Sequence, residues 1–217
     1  MAKVEPFEKH PDRYEAWFEK NRFVYESELR AVRGQVPQEG AGLEVGAGSG
    51  RFAGPLGIRL GIDPSAEMRK LARSRGMTVL GGVAEDLPFR DGRFDFVLMV
   101  TAICFFEDVQ AAFKESYRVL KPHGILVVGF IDGDSPVGRE YRKGQQKSTF
   151  YREAVFFTAK EVASHLKKAD FTNLSFKQTV FSPLDRIRKV EPVKNGHGEG
   201  SFVVVKAHKT EEIPQKM

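Results

Sequence analysis

Cysteine is almost absent: Cys104 stands alone in 217 residues. A single thiol forms no internal disulfide and no cysteine-based zinc site, so the composition does not point to an oxidising compartment. Long apolar runs are missing too. The longest, FVLMVTAICFF at 96–106, is too short to span a bilayer. The opening MAKVEPFEKHPDRYEAW has no apolar segment behind its lysine, which excludes an ordinary signal peptide, so a cytoplasmic protein with no membrane partner is expected. No basic stripe forms, because 34 basic residues are interspersed with 29 acidic ones for a net charge of +5; nucleic acid is therefore not the expected partner. His10, His123, His165, His197 and His208 are scattered without metal-ligand spacing, so no metal is expected. Repeats and low-complexity tracts are also lacking.

What the chain does contain is alternation. From about residue 43, short β-like runs alternate with helical segments, the pattern of parallel strands joined by crossover helices. Strands are expected at 42–45, 58–63, 78–82, 94–100 and 124–130, the last two central because FDFVLMV and GILVVGF are almost wholly apolar. Between those two, Val109, Ala112, Phe113, Tyr117 and Leu120 fall at helical spacing, and KPHG stops the helix. Residues 132–157 are polar and long for a connection, as lid-like insertions are. Thr158 and Glu161 form a capping-box pattern opening a helix over 158–171. LSFKQTVF and SFVVVKAH have no helix between them and are expected to pair antiparallel near a sheet edge. The fold class that follows is α/β, a doubly wound, mostly parallel seven-stranded sheet with an antiparallel edge strand. As one domain it divides into a helical cap (1–40), a core (41–131), the insertion (132–157), a C-terminal helix and strands (158–208) and a tail (209–217).

The stretch LEVGAGSGRF at 43–52 carries the chemistry. It leaves the first strand at the sheet edge where α/β folds bind ligands, and its glycines let a ligand approach the main chain without meeting a Cβ. The spacing is G-x-G-x-G, with Arg51 where a dinucleotide fingerprint has its third glycine. Glu44 is a poor neighbour for a pyrophosphate and suits an ammonium group. Asp63, at the end of the second strand, is placed to take both hydroxyls of a ribose, although Asp-Pro is also a good helix start. Together these point to a nucleoside bearing a cationic amino-acid arm.

Four runs in order, LEVGAGSGRF, GIDPSAEM, GGVAEDLPFRDGRFDFVLMV and ESYRVLKPHGILVVG, resemble the class I S-adenosylmethionine-dependent methyltransferases, particularly the small-molecule group called type 11. The resemblance covers roughly residues 40–131 and implies a Rossmann-like methyltransferase fold with S-adenosylmethionine as cofactor. It implies that Glu44, Gly46, Ala47, Gly48 and Gly50 face the methionine part and that Asp63 and Pro64 lie at the ribose. Met68, Val83, Ala84 and Glu85 would lie near the adenine, and Thr101 beyond the fourth strand. Relatives often carry an acidic or amide residue where this chain has Val83, and Glu85 is the substitute.

Methyl transfer from a sulfonium needs alignment more than a catalytic group, and none is assigned. Where relatives have histidine or an acid, this chain has Cys104 and Phe105. Cys104 reads as buried filler, and Phe105 and Phe106 as pocket or core. Tyr14, Trp17, Arg22, Tyr151 and Arg152 are candidate acceptor contacts. The expected function is methyl transfer to a small-molecule acceptor. RNA or protein methylation, and a non-catalytic cofactor-binding regulator, are the alternatives.

Overall fold

The computed structural model describes residues 3–210. Three helices open the chain, α1 (Glu5–Lys9), α2 (Pro11–Lys20) and α3 (Arg22–Arg33). The apolar spacing anticipates one continuous helical stretch. It is split because His10 and Asn21 take non-helical dihedrals, and Pro11 has no N–H with which to prolong α1.

The alternating core follows: β1 (Gly42–Val45), β2 (Leu60–Ile62), α4 (Ala66–Ser74), β3 (Thr78–Leu80), β4 (Phe94–Val100), α5 (Val109–Val119) and β5 (Leu120–Ile131). Beyond it lie α6 (Pro136–Gly144), α7 (Ala159–Lys168), β6 (Phe171–Thr179), β7 (Lys194–Asn195) and β8 (Phe202–Lys209). All strands form one sheet in the order β3-β2-β1-β4-β5-β8-β6-β7. The first five are parallel, and β8 runs antiparallel to both β5 and β6. Strand order reverses between β1 and β4, which opens a crevice at their carboxyl ends. The eighth strand, absent from the expected seven, is β7, whose Asn195 and Lys194 pair with Lys177 and Gln178. Two exposed polar residues carry no alternation by which to announce it.

β4 and the 125–131 stretch of β5 are almost wholly apolar because both faces are covered. Val97, Met99, Leu126 and Val128 pack with Phe113 of α5 and Leu166 of α7; Phe96, Leu98 and Val127 pack with Ala31 and Val32 of α3. α5 ends at Val119, directly before KPHG, as the stop signals require, and KPHG itself forms a bulge at the start of β5. Phe94 pairs with Leu120 and Phe96 with Ile125, so residues 121–124 loop out, with His123 at φ 62°. The capping box at α7 forms as the pattern requires, although the helix ends at Lys168. The expected tail at 209 begins later: Lys209 is the last residue of β8, and its Nζ donates to the carbonyls of Tyr117 and Leu120 at 2.9 Å each. Residues 211–217 lie outside the described residues. No described helix is long and apolar enough to cross a membrane.

Within 132–157 the chain folds into α6 instead of running as a loop. Ser135 caps it, accepting from the Gly138 N–H at 3.0 Å, and Pro136 opens its first turn. Gly138 is required there, because a Cβ would sit 2.1 Å from the Asp132 carbonyl oxygen and 2.9 Å from Gly133 Cα. Neither atom is the tip of a flexible side chain. Gly138→Ala is expected to cost about 2 to 3 kcal/mol in denaturant unfolding. Unchanged stability would mean that α6 tolerates displacement from 132–133.

Candidate active site

The turn after β1 is held by main-chain bonds. Gly46 and Ala47 N–H donate to the Ile62 carbonyl at 2.9 and 3.0 Å, and Gly50 N–H donates to Ala47 at 2.9 Å. Gly46, Gly48 and Gly50 sit at φ 71°, 52° and 80°, a region costly to any residue with a Cβ. Asp63 braces the turn from β2: its Oδ2 accepts from Gly48 N–H at 2.7 Å and its Oδ1 from Ser65 N–H at 2.9 Å. The cap of α4 is Ser65, not Asp63, with Ser65 Oγ accepting from Met68 N–H. Burial raises the Asp63 carboxyl above its ordinary range.

A cavity of about 730 Å³ opens over this edge. One lobe is lined by Gly46, Gly48, Asp63, Pro64, Met68, Val83, Ala84, Glu85 and Thr101. The structure therefore brings together nine residues that the sequence motifs single out. Ala47 and Gly50 are not on its wall. Ala47 packs in the core, and the position of a Gly50 Cβ is taken by Met77 Sδ, 2.6 Å away. Glu44 also lies off the wall, 2 % exposed beneath the turn, where it accepts from Ala53 N–H at 3.1 Å. Burial holds its carboxyl well above the ordinary range. Glu85 is occupied on one side, its Oε1 accepting from the Glu107 and Asp108 N–H groups at 2.8 and 3.2 Å. Thr101 closes β4 at φ 50°, a left-handed conformation of the kind that clusters at functional sites.

The other lobe is aromatic. Tyr14, Trp17 and Phe18 come from α2, Tyr141 from α6, and Phe150 and Tyr151 from the segment after it. The Tyr141 and Tyr151 rings stack with centroids 4.9 Å apart. Phe150 meets Phe7 of α1 and Tyr14 of α2 at 5.4 and 6.2 Å, and Arg13 donates to Thr149 Oγ1 at 2.8 Å. The N-terminal helices and the 141–151 stretch thus close one roof over both lobes. Glu15 ties that roof to the glycine turn, bridging Arg51 at 2.6 Å and Arg75. Arg51, which breaks the dinucleotide pattern, is consequently engaged in an ion pair with α2.

Arg22 and Arg152 are exposed and off the cavity wall, Arg22 pairing with Glu26 at 2.6 Å. The residue that sequence reasoning passed over is Glu28. It lines the cavity at 3 % exposure, on the face of α3 that also buries Val24, Ala31 and Val32. Its position four residues from both Val24 and Val32 was a readable signal, since a carboxylate on an apolar stripe demands a reason.

Cys104 sits off the wall and is half-buried rather than the fully buried filler expected, its Sγ donating to the Thr101 carbonyl at 3.6 Å, and desolvation pushes the thiol up to about 12. A thiol so raised is a poor nucleophile. In the native protein Cys104 is expected to resist iodoacetamide at least about tenfold relative to the unfolded chain. Cys104→Ala should bind S-adenosylhomocysteine as the parent does. Fast native labelling, checked by mass spectrometry, would contradict a thiol so raised.

The family model Methyltransferase domain matches residues 43–128. An uncharacterized protein of Methanocaldococcus jannaschii is 45 % identical over 203 residues, covering 94 % of this chain and 98 % of its own. A solved structure from Thermotoga maritima, a SAM-dependent methyltransferase and possible histamine N-methyltransferase, superposes with a TM-score of 0.93 at 48 % identity, over 95 % of this chain and 100 % of that one. Malonyl-[acyl-carrier protein] O-methyltransferase of Methylococcus capsulatus is 28 % identical over 70 % of this chain and 59 % of its own. With the sheet order, the braced glycine turn and these likenesses together, the chain belongs to the class I S-adenosylmethionine-dependent methyltransferases and takes S-adenosylmethionine as its cofactor.

Proposed function

We propose that the protein transfers a methyl group from S-adenosylmethionine to a small molecule held in the aromatic lobe. The observation that carries this reading is the single roofed cavity joining that lobe to the glycine turn. Its volume of about 730 Å³ suits a small-molecule site. A long polymer would need an open groove or an exposed basic face.

The residues present fit the cofactor. Asp63 spends one lone pair of each oxygen on the turn and has others left for two ribose hydroxyls. Met68, Val83 and Ala84 offer an apolar slot for the adenine, and Gly46 and Gly48 bare main chain for the methionine arm. Glu44, below the turn, supports it by accepting from Ala53 N–H, and Thr101 stands on the cavity wall just past β4. The bound cofactor supplies a methyl group already activated on a sulfonium. The chain then has to align the acceptor behind that methyl and exclude water, and orientation of this kind supplies about 7 to 11 kcal/mol of a barrier. Residues 3–40 and 132–157 act as the cover that does so.

The test is incubation with methyl-labelled cofactor and separate metabolite, RNA and protein pools. Label in the metabolite fraction is expected. Label confined to RNA or protein would overturn the small-molecule reading, and no label in any pool would favour a silent binder.

A further inference from the structure

The aromatic lobe contains one buried carboxyl group that no described residue satisfies. Glu28 is buried to 3 % exposure, lines the cavity, and makes no hydrogen bond or ion pair with any described residue. Two of the stacked rings lie close enough to feel its charge: the Tyr141 and Tyr151 hydroxyls are both raised in part by it. Its own carboxyl is pushed up to about 8, and burial is the sole cause. Lys3 and Arg13, the cations on the cavity wall, do nothing to offset it.

A buried carboxyl without a partner keeps its proton at neutral pH and ionises where a cation arrives to pair with it. The surroundings narrow what can arrive. Rings attract cations through their faces, and a carboxylate adds full charge to that attraction. An anionic acceptor would face the negative ring faces and keep Glu28 protonated, and a neutral one would gain a hydrogen bond at most. A protonated amine satisfies both the rings and the carboxylate.

From this arrangement we infer that the methyl acceptor is a small amine that enters as its ammonium form, with Glu28 as the anionic anchor among Trp17, Tyr141 and Tyr151 that takes one ammonium proton, so that the freed nitrogen lone pair forms the N–C bond as the S–C bond breaks and S-adenosylhomocysteine leaves. The inference rests on the small-molecule reading of the cavity and names the acceptor's class. Glu28 touches substrate in this role. The sulfonium of the cofactor is not its partner, because Glu28 lies in the aromatic lobe, whereas the cofactor lobe is built on the glycine turn that Asp63 braces.

Three probes of one shape and different charge test it: phenethylamine, phenethyl alcohol and phenylacetate. Each is titrated by calorimetry into the protein saturated with S-adenosylhomocysteine. The amine is expected to bind at least about 30-fold more tightly than either other probe, the scale for pairing a buried charge. In Glu28→Gln that preference should vanish while S-adenosylhomocysteine binds as before, which reports that the variant is folded. Equal binding of the three, preference for the alcohol or the acid, or no binding of any would overturn the inference. So would an amine preference that survives in Glu28→Gln. Labelled methyl transfer separates the two levels. Label in neutral or acidic metabolites keeps the small-molecule reading and removes the amine, whereas label only in RNA or protein removes both.

Discussion

Asp63→Ala loses affinity for S-adenosylmethionine by about 1,000-fold, since two hydrogen bonds to a charged, buried acceptor are worth roughly 1.5 to 3 kcal/mol each. The carboxylate stands at the crevice where strand order reverses, bracing Gly48 and Ser65 while facing the cavity. Its removal frees two main-chain donors as well, so some melting temperature is lost with it. Adenosine separates ribose contact from mere loosening of the turn. It carries the ribose without the methionine arm, and its affinity should fall by the same factor. Calorimetry on both ligands checks this; affinities within tenfold of the parent would mean that the ribose is held elsewhere.

The second large effect is on stability and comes from Glu28. A free glutamate titrates near 4.5, and in the folded protein this one titrates at about 8. The folded state therefore holds its proton more tightly than the unfolded chain does. Stability from this group is complete below pH 4.5, declines as pH rises, and is gone once pH passes about 8. Across that window the loss is on the order of 4 kcal/mol. Glu28→Gln removes the titration, so the two proteins should unfold alike near about pH 5, whereas near about pH 9 the variant is the more stable by that amount. Urea unfolding at both values gives the difference directly, and comparison with the variant cancels other titrating groups such as Glu44 and Asp63. Parallel pH profiles for the two proteins would mean that Glu28 is ionised in the fold at neutral pH. A group that destabilises the empty protein is what a binding site keeps and a scaffold discards.

The parts legible in the sequence are those dictated by neighbours along the chain. FDFVLMV and GILVVGF reveal buried strands because both faces must be apolar, and Thr158 with Glu161 reveals a helix start because the cap is local. The glycine turn is legible since positive φ leaves its mark in residue type. Asp63 is legible because it closes a strand beside that turn. What stayed hidden depends on partners distant in sequence. β7 exists only because residues 177 and 178 lie alongside it. α6 was masked by its polar composition, although Ser135-Pro136 carries a cap and first-turn signal. Arg22 and Arg152 resemble acceptor contacts by type, yet helix phase and exposure turn them to solvent. Tyr141 and Glu28, 113 positions apart by their numbers, face one lobe only after the sheet brings α3 and α6 together. No local pattern encodes that meeting.

The ring contacts joining Phe7 and Tyr14 to Phe150 matter to both ligands at once. Because those three rings tie α1, α2 and the 141–151 stretch into one cluster over the cavity, truncating any of them loosens a wall that nucleoside and acceptor have in common, so one substitution is felt by two ligands.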